Sequence, residues 1–225
     1  MTMKLITLGC SLTHHKGVKE TLAKLLNLKL LDLAYGAGSN HLQISKLHDL
    51  LISNQIDKND IIYWQVTAIN RPYKRMPYVY LNKVTQIQNS KFAKSNCVHY
   101  VESIENIFDN NKRIDLLSNS PGLTKGFDVE QHLQELLATM ILLKSFCFKL
   151  IIVFGWKNVM PDTYFVRFKN ILQEYKIDYI EQPYLEYAVN NKLEMLDDMH
   201  PAESAGKQYA NEIIYPALKE LGWIN

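Results

Sequence analysis

Short apolar runs alternate along the chain with longer stretches in which apolar residues recur at helical spacing. The runs at residues 3–9, 28–34, 61–66, 148–155 and 177–181 read as strands. They are nearly continuous rather than alternating apolar and polar, as expected where helices cover both faces of a sheet. Residues 18–26, 40–52, 129–145, 163–175 and 202–221 read as helices. In residues 40–52 the stripe of Leu42, Ile44, Leu47, Leu50 and Leu51 supplies one apolar face.

Strand and helix in alternation imply βαβ units and a parallel sheet. The expected architecture is α/β: a three-layer α/β/α sandwich with a mainly parallel five-stranded sheet, flavodoxin-like in type. Residues 1–225 are expected to form a single domain, since this length supports one substantial core. Residues 70–125 stand apart: polar, rich in asparagine, and broken by Pro72, Pro77 and Pro121. So long a connection reads as an insertion or lid, with helical fragments expected around 80–88 and 101–108.

Composition narrows the class. Apolar residues make up 47% and charged residues 21%, as in ordinary globular proteins. A net charge of +2 points to neither nucleic acid nor an anionic membrane as partner. Cys10, Cys97 and Cys147 are odd in number and scattered, which reads as free thiols in a reducing compartment. The run before Cys10 is too short for a secretory or lipoprotein signal, and no run approaches a membrane span. The expected location is therefore cytoplasmic.

The chemistry-bearing residues lie at opposite ends. Gly9-Cys10-Ser11-Leu12-Thr13 closes the first strand, and Asp197-Asp198-Met199-His200-Pro201 precedes the last helix. A serine hydroxyl needs an imidazole base, and the imidazole needs a carboxylate to orient it. Taken singly, Ser11 also suits a helix N-cap, and His200-Pro201 also suits the start of a helix. In an open parallel sheet, ligands bind beyond the carboxyl ends of the strands. Ser11, Gly38 and residues 67–70 all follow strands and should gather there.

With these blocks in this order the chain resembles the SGNH hydrolases, the GDSL-like esterases. Gly9, Ser11 and Thr13 match the family's G-D-S-x-[ST] block, with Cys10 at the Asp position. Gly38, in Ala34-Tyr35-Gly36-Ala37-Gly38-Ser39-Asn40, matches the second block, and Asp197, His200 and Pro201 match D-x-x-H-P. The third block, G-x-N-D, is absent from Trp64-Gln65-Val66-Thr67-Ala68-Ile69-Asn70-Arg71.

The resemblance implies Ser11 as nucleophile, His200 as general base and Asp197 as its carboxylate, with Asp198 as the competing acid. It also implies an oxyanion hole built from the backbone N–H groups of Ser11 and Gly38. The third donor is left to Thr67 or Asn70, with Gln65 as a further option. Gly36 and Gly38 serve equally as residues that simply make the turn before a helix.

The implied reaction removes an acetyl or short acyl group from a carbohydrate or other small ester, without cofactor or metal. Trp64, Tyr73, Tyr78, Tyr80 and Trp156 lie on or near expected loops and are the candidates for stacking on a sugar, with ordinary core or lid packing as the alternative, favoured for Trp64. Acyl transfer by the same residues, and a catalytically silent version of the fold that binds a glycan or a protein, are the alternatives. Gly36-Ala37-Gly38 lacks the third glycine of a dinucleotide loop. His14, His15 and His41 lack the companions of a metal site. Cys10 reads as a small buried residue facing away from Ser11.

Overall fold

In the computed structural model, residues 3–35, 39–69, 129–157, 159–197 and 200–224 are described in full, and 73–77 and 97–101 as backbone. The chain runs β1 (Lys4–Leu8), α1 (Ser11–His14), α2 (Val18–Leu25), β2 (Lys29–Asp32), α3 (Asn40–Ile52) and β3 (Ile61–Val66). It continues with β4 (Tyr73–Pro77), β5 (Cys97–Val101), α4 (Val129–Ser145), β6 (Lys149–Phe154), α5 (Asp162–Glu174) and β7 (Asp178–Ile180). It closes with α6 (Tyr184–Asn190), α7 (Glu203–Tyr209), a π-helical turn (Ala210–Ile214) and α8 (Tyr215–Glu220).

Five strands form a parallel sheet in the order β2-β1-β3-β6-β7, and β4 pairs antiparallel with β5. Side chains of successive strand residues point to opposite faces, and each face has its own core. Ile6, Leu8, Ile62, Trp64, Ile152 and Phe154 pack under α3, α4 and α5. Leu5, Ile61, Tyr63, Ile151 and Val153 pack under α2 and the C-terminal helices, against Leu22, Tyr184, Tyr209 and Ile214. The expected three-layer fold with its five-stranded sheet is the observed one.

The expected helix over residues 202–221 is present from Glu203 to Glu220, with one π-helical turn inside it. Pro216 has no N–H, and its ring clashes with the carbonyl four residues back. The turn before it widens instead, and the Tyr215 N–H reaches back to the Ala210 carbonyl. α1 and α6 were not expected from the sequence: one is a single turn and the other two turns, too short for periodicity to register. Residues 70–125 include β4 and β5, so Val101, expected in a helical fragment, lies in a strand. The fragment expected around 80–88, and the rest of the one expected around 101–108, lie outside the described residues.

Among the described residues, no helix is long and apolar enough to cross a membrane.

Candidate active site

The turn after β1 is built on a glycine. A Cβ on Gly9 would lie 2.2 Å from Thr13 Oγ1 and 2.6 Å from Thr13 Cβ. Only a residue without a side chain allows α1 to fold back so tightly over the strand end. The N–H groups of Thr13 and His14 then close on the Cys10 carbonyl at 3.1 and 2.8 Å, and Ser11 opens the helix. Cys10 is fully buried, and its Sγ donates to Gln65 Oε1 at 3.4 Å. Ser11 keeps part of its surface exposed.

His200 arrives on a closed loop. Met195 and Pro201 form an antiparallel bridge, and the Leu196 N–H donates to the His200 carbonyl at 2.7 Å. Two glycines dock this loop beside the Ser11 turn. A Cβ on Gly17, at φ 125°, would lie 2.7 Å from the Glu203 carbonyl oxygen and 3.0 Å from Gly206 Cα. One on Gly206 would lie 2.9 Å from the Val18 nitrogen and 3.0 Å from the Tyr184 hydroxyl. The starts of α2 and α7 therefore touch backbone to backbone. His200 Nε2 comes to 2.7 Å from Ser11 Oγ, although 189 positions separate them. The half-buried His15 ring lies against the His200 ring, with centroids 4.8 Å apart.

Asp197 lies at the tip of the loop, exposed, with no hydrogen bond or ion pair among the described residues. Asp198, Gly38 and Asn70 lie outside the described residues. Thr67 is fully buried, and its backbone is bound on both sides by Asn40. The Thr67 N–H donates to Asn40 Oδ1 and its carbonyl accepts from Asn40 Nδ2, each at 3.0 Å. Gln65 is also fully buried, and its Nε2 has no hydrogen-bond partner among the described residues. Neither Thr67 nor Gln65 presents a side chain at the exposed edge beside Ser11. Trp156 is half-buried on the turn after β6, and Tyr73 begins β4.

Sequence reasoning did not anticipate several supports of this arrangement. Asn40, read only as the start of a helix, fastens α3 to the end of β3. Lys19 is buried; it donates to the His14 carbonyl at 2.7 Å and pairs with Asp32. Asp32 Oδ1 accepts from Thr7 Oγ1 at 2.9 Å and from the Ala34 N–H at 3.0 Å, tying β1, β2 and the turn after α1 together. A buried lysine paired with an acid across secondary elements has no local sequence signal. Among the described residues no group of three His, Cys, Asp or Glu side chains is placed to hold a metal ion.

No protein-family model matches the chain, and no curated protein matches its sequence. Solved structures do. TesA superposes with a TM-score of 0.55 at 14% identity, over 97% of this chain and 99% of its own. The esterase EstA from Pseudoalteromonas sp., solved with the inhibitor monoethylphosphonate, gives 0.55 at 13% identity over 97% of each chain. A lipolytic protein of the G-D-S-L family from Veillonella parvula gives 0.51 at 14%, again over 97% of each chain. With the parallel sheet in the order β2-β1-β3-β6-β7 and Ser11 at the turn after β1, these matches give the chain the fold of the SGNH hydrolases.

Proposed function

We propose that the protein is a serine ester hydrolase that removes an acetyl or short acyl group from a carbohydrate or other small ester. One observation carries this reading: His200 Nε2 sits 2.7 Å from Ser11 Oγ, within reach for proton transfer.

Ser11 Oγ attacks the acyl carbon while His200 Nε2 takes its proton. The tetrahedral intermediate expels the alkoxide, which leaves as the alcohol with the proton from His200. Water then attacks the acyl-serine, again giving its proton to His200. Collapse of the second intermediate releases the carboxylic acid and returns the proton to Ser11. Asp197 is the carboxylate assigned to the His200 imidazole, by its place three residues earlier. The Ser11 N–H and the Gly38 N–H are assigned to the developing oxyanion; loss of one such donor typically slows acyl transfer by about 100-fold or more. Asn70 takes the third donor position in this reading, because Thr67 is buried and its N–H is engaged by Asn40. The esterase and lipolytic descriptions of the structural relatives support an ester as the substrate.

Hydrolysis of p-nitrophenyl acetate and butyrate tests the proposal. Wild type is expected to be active, with Ser11→Ala and His200→Ala each reduced by 10³-fold or more, on the order seen when one member of such a set is removed. Equal rates in all three proteins would contradict it. A second reading, a catalytically silent fold that binds a glycan or a protein, draws on the absence of the third block; glycan binding without turnover would favour it.

A further inference from the structure

His15 sits where the two halves of the site meet. It follows α1 directly, and its backbone N–H donates to the Ser11 carbonyl at 2.9 Å. The preceding carbonyl, that of His14, is held by the buried Lys19 Nζ at 2.7 Å. The backbone of His15 is thus fixed relative to Ser11 from both sides. Its ring is half-buried and packs on the His200 ring, with centroids 4.8 Å apart and planes at 46°.

A base that works on Ser11 must hold its ring in one plane, since Nε2 has to stay within hydrogen-bond reach of Oγ through two proton transfers. In many such sites a carboxylate on the other ring nitrogen does this. That part is assigned above to Asp197, and packing against the face of the ring acts beside it. The His15 ring lies against His200 on a backbone anchored to the nucleophile's own residue. Tilted aromatic pairs at this separation are attractive beyond the area they bury.

We propose that His15 is a positioning residue for His200: its ring, packed on the His200 ring, holds the plane in which Nε2 meets Ser11 Oγ. The proposal rests on the reading of Ser11 and His200 as nucleophile and base. It assigns His15 no contact with the substrate. Its loss therefore lowers kcat and leaves KM nearly unchanged, and a phenyl ring replaces it because the face does the work.

The test has two readouts. Nuclear Overhauser contacts between His15 and His200 ring protons report the packing without reference to catalysis. The rate at which a fluorophosphonate labels Ser11 is measured for wild type, His15→Ala, His15→Phe and Ser11→Ala, with melting temperatures recorded for each. The expected result is a ring-to-ring contact in wild type, labelling slowed about three- to tenfold in His15→Ala, and most of the rate regained in His15→Phe. His15→Ala labelling at the wild-type rate, His15→Phe as slow as His15→Ala, or no contact between the rings would overturn the proposal while leaving the Ser11–His200 reading intact. A wild type that is not labelled at all would instead overturn the hydrolase reading, and with it any role for His15 in reactivity.

Discussion

Gly206 has no room for a side chain. A methyl group there would press on the Val18 backbone nitrogen at 2.9 Å and on Gly17 Cα at 3.1 Å, and backbone cannot swing aside as a flexible side chain does. Gly206→Ala is expected to cost about 1–3 kcal/mol, the usual range for overpacking. It should also push the start of α7 outward and carry His200 away from Ser11. Melting temperature and Ser11 labelling would fall together; a stable protein labelled at the wild-type rate would show that the contact is not needed. His132 makes a separate prediction. Burial first, and the neighbouring His41 second, hold its pKa down at about 4. The folded state therefore favours the neutral ring. Between about pH 6.5 and pH 4 the unfolded chain binds the proton more readily, so stability falls as pH drops through that window. The slope contributed is at most about 1.4 kcal/mol per pH unit. His132→Leu should flatten the dependence of melting temperature on pH in that range, and an unchanged slope would refute the assignment. Ser11 and His200 were legible as candidates because their chemistry is carried by residue type. The roles of Gly206, Lys19, Asn40 and His15 were not legible, since each depends on a contact with a distant segment.

Five helices end in the same way. Asn27, Asn54, Cys147, Lys176 and Lys192 each follow a helix with φ between 53° and 63°. The next N–H in each case reaches back to a carbonyl in the last turn, as from Ile177 to Leu172 at 2.8 Å and from Phe148 to Leu143 at 3.1 Å. This is the left-handed closure that glycine usually supplies, yet no glycine occupies any of the five positions. Lys176→Gly removes the strain on Cβ and is expected to raise stability by about 0.5–1 kcal/mol, net of the entropy glycine adds to the unfolded chain. Chemical denaturation would show a higher midpoint; a lower one would mean that Lys176 makes contacts that outweigh the strain. The same pattern explains why helix ends were found from the sequence without glycine signals: an apolar residue opens the next segment at Leu28, Phe148 and Ile177. Strands buried on both faces were legible as apolar runs. The single turn of α1 and the two turns of α6 were not, because neither spans enough residues to show a period. The π-helical turn before Pro216 was not read from the sequence, although the proline that causes it is local.

At the scale of the whole molecule, the sheet order decides where chemistry is placed. β2 and β3 flank β1 on opposite sides, so the crossovers diverge at the carboxyl end of β1 and leave a crevice there. Ser11 stands at that point, α3 is strapped to the end of β3 by Asn40, and the Gly17–Gly206 contact brings His200 in from the far end of the chain. Two separate cores, one on each face of the sheet, hold the three layers in register. The fold alone fixes the place of the site, and the chemistry proposed for it rests on one pair of side chains. The most direct test is covalent labelling by a fluorophosphonate, read by intact mass and by mapping the modified peptide, in wild type, Ser11→Ala and His200→Ala. The account predicts one adduct on Ser11 in wild type, none in Ser11→Ala, and labelling slowed by at least about 100-fold in His200→Ala. A wild-type protein that takes no adduct, or takes it elsewhere than Ser11, would contradict it.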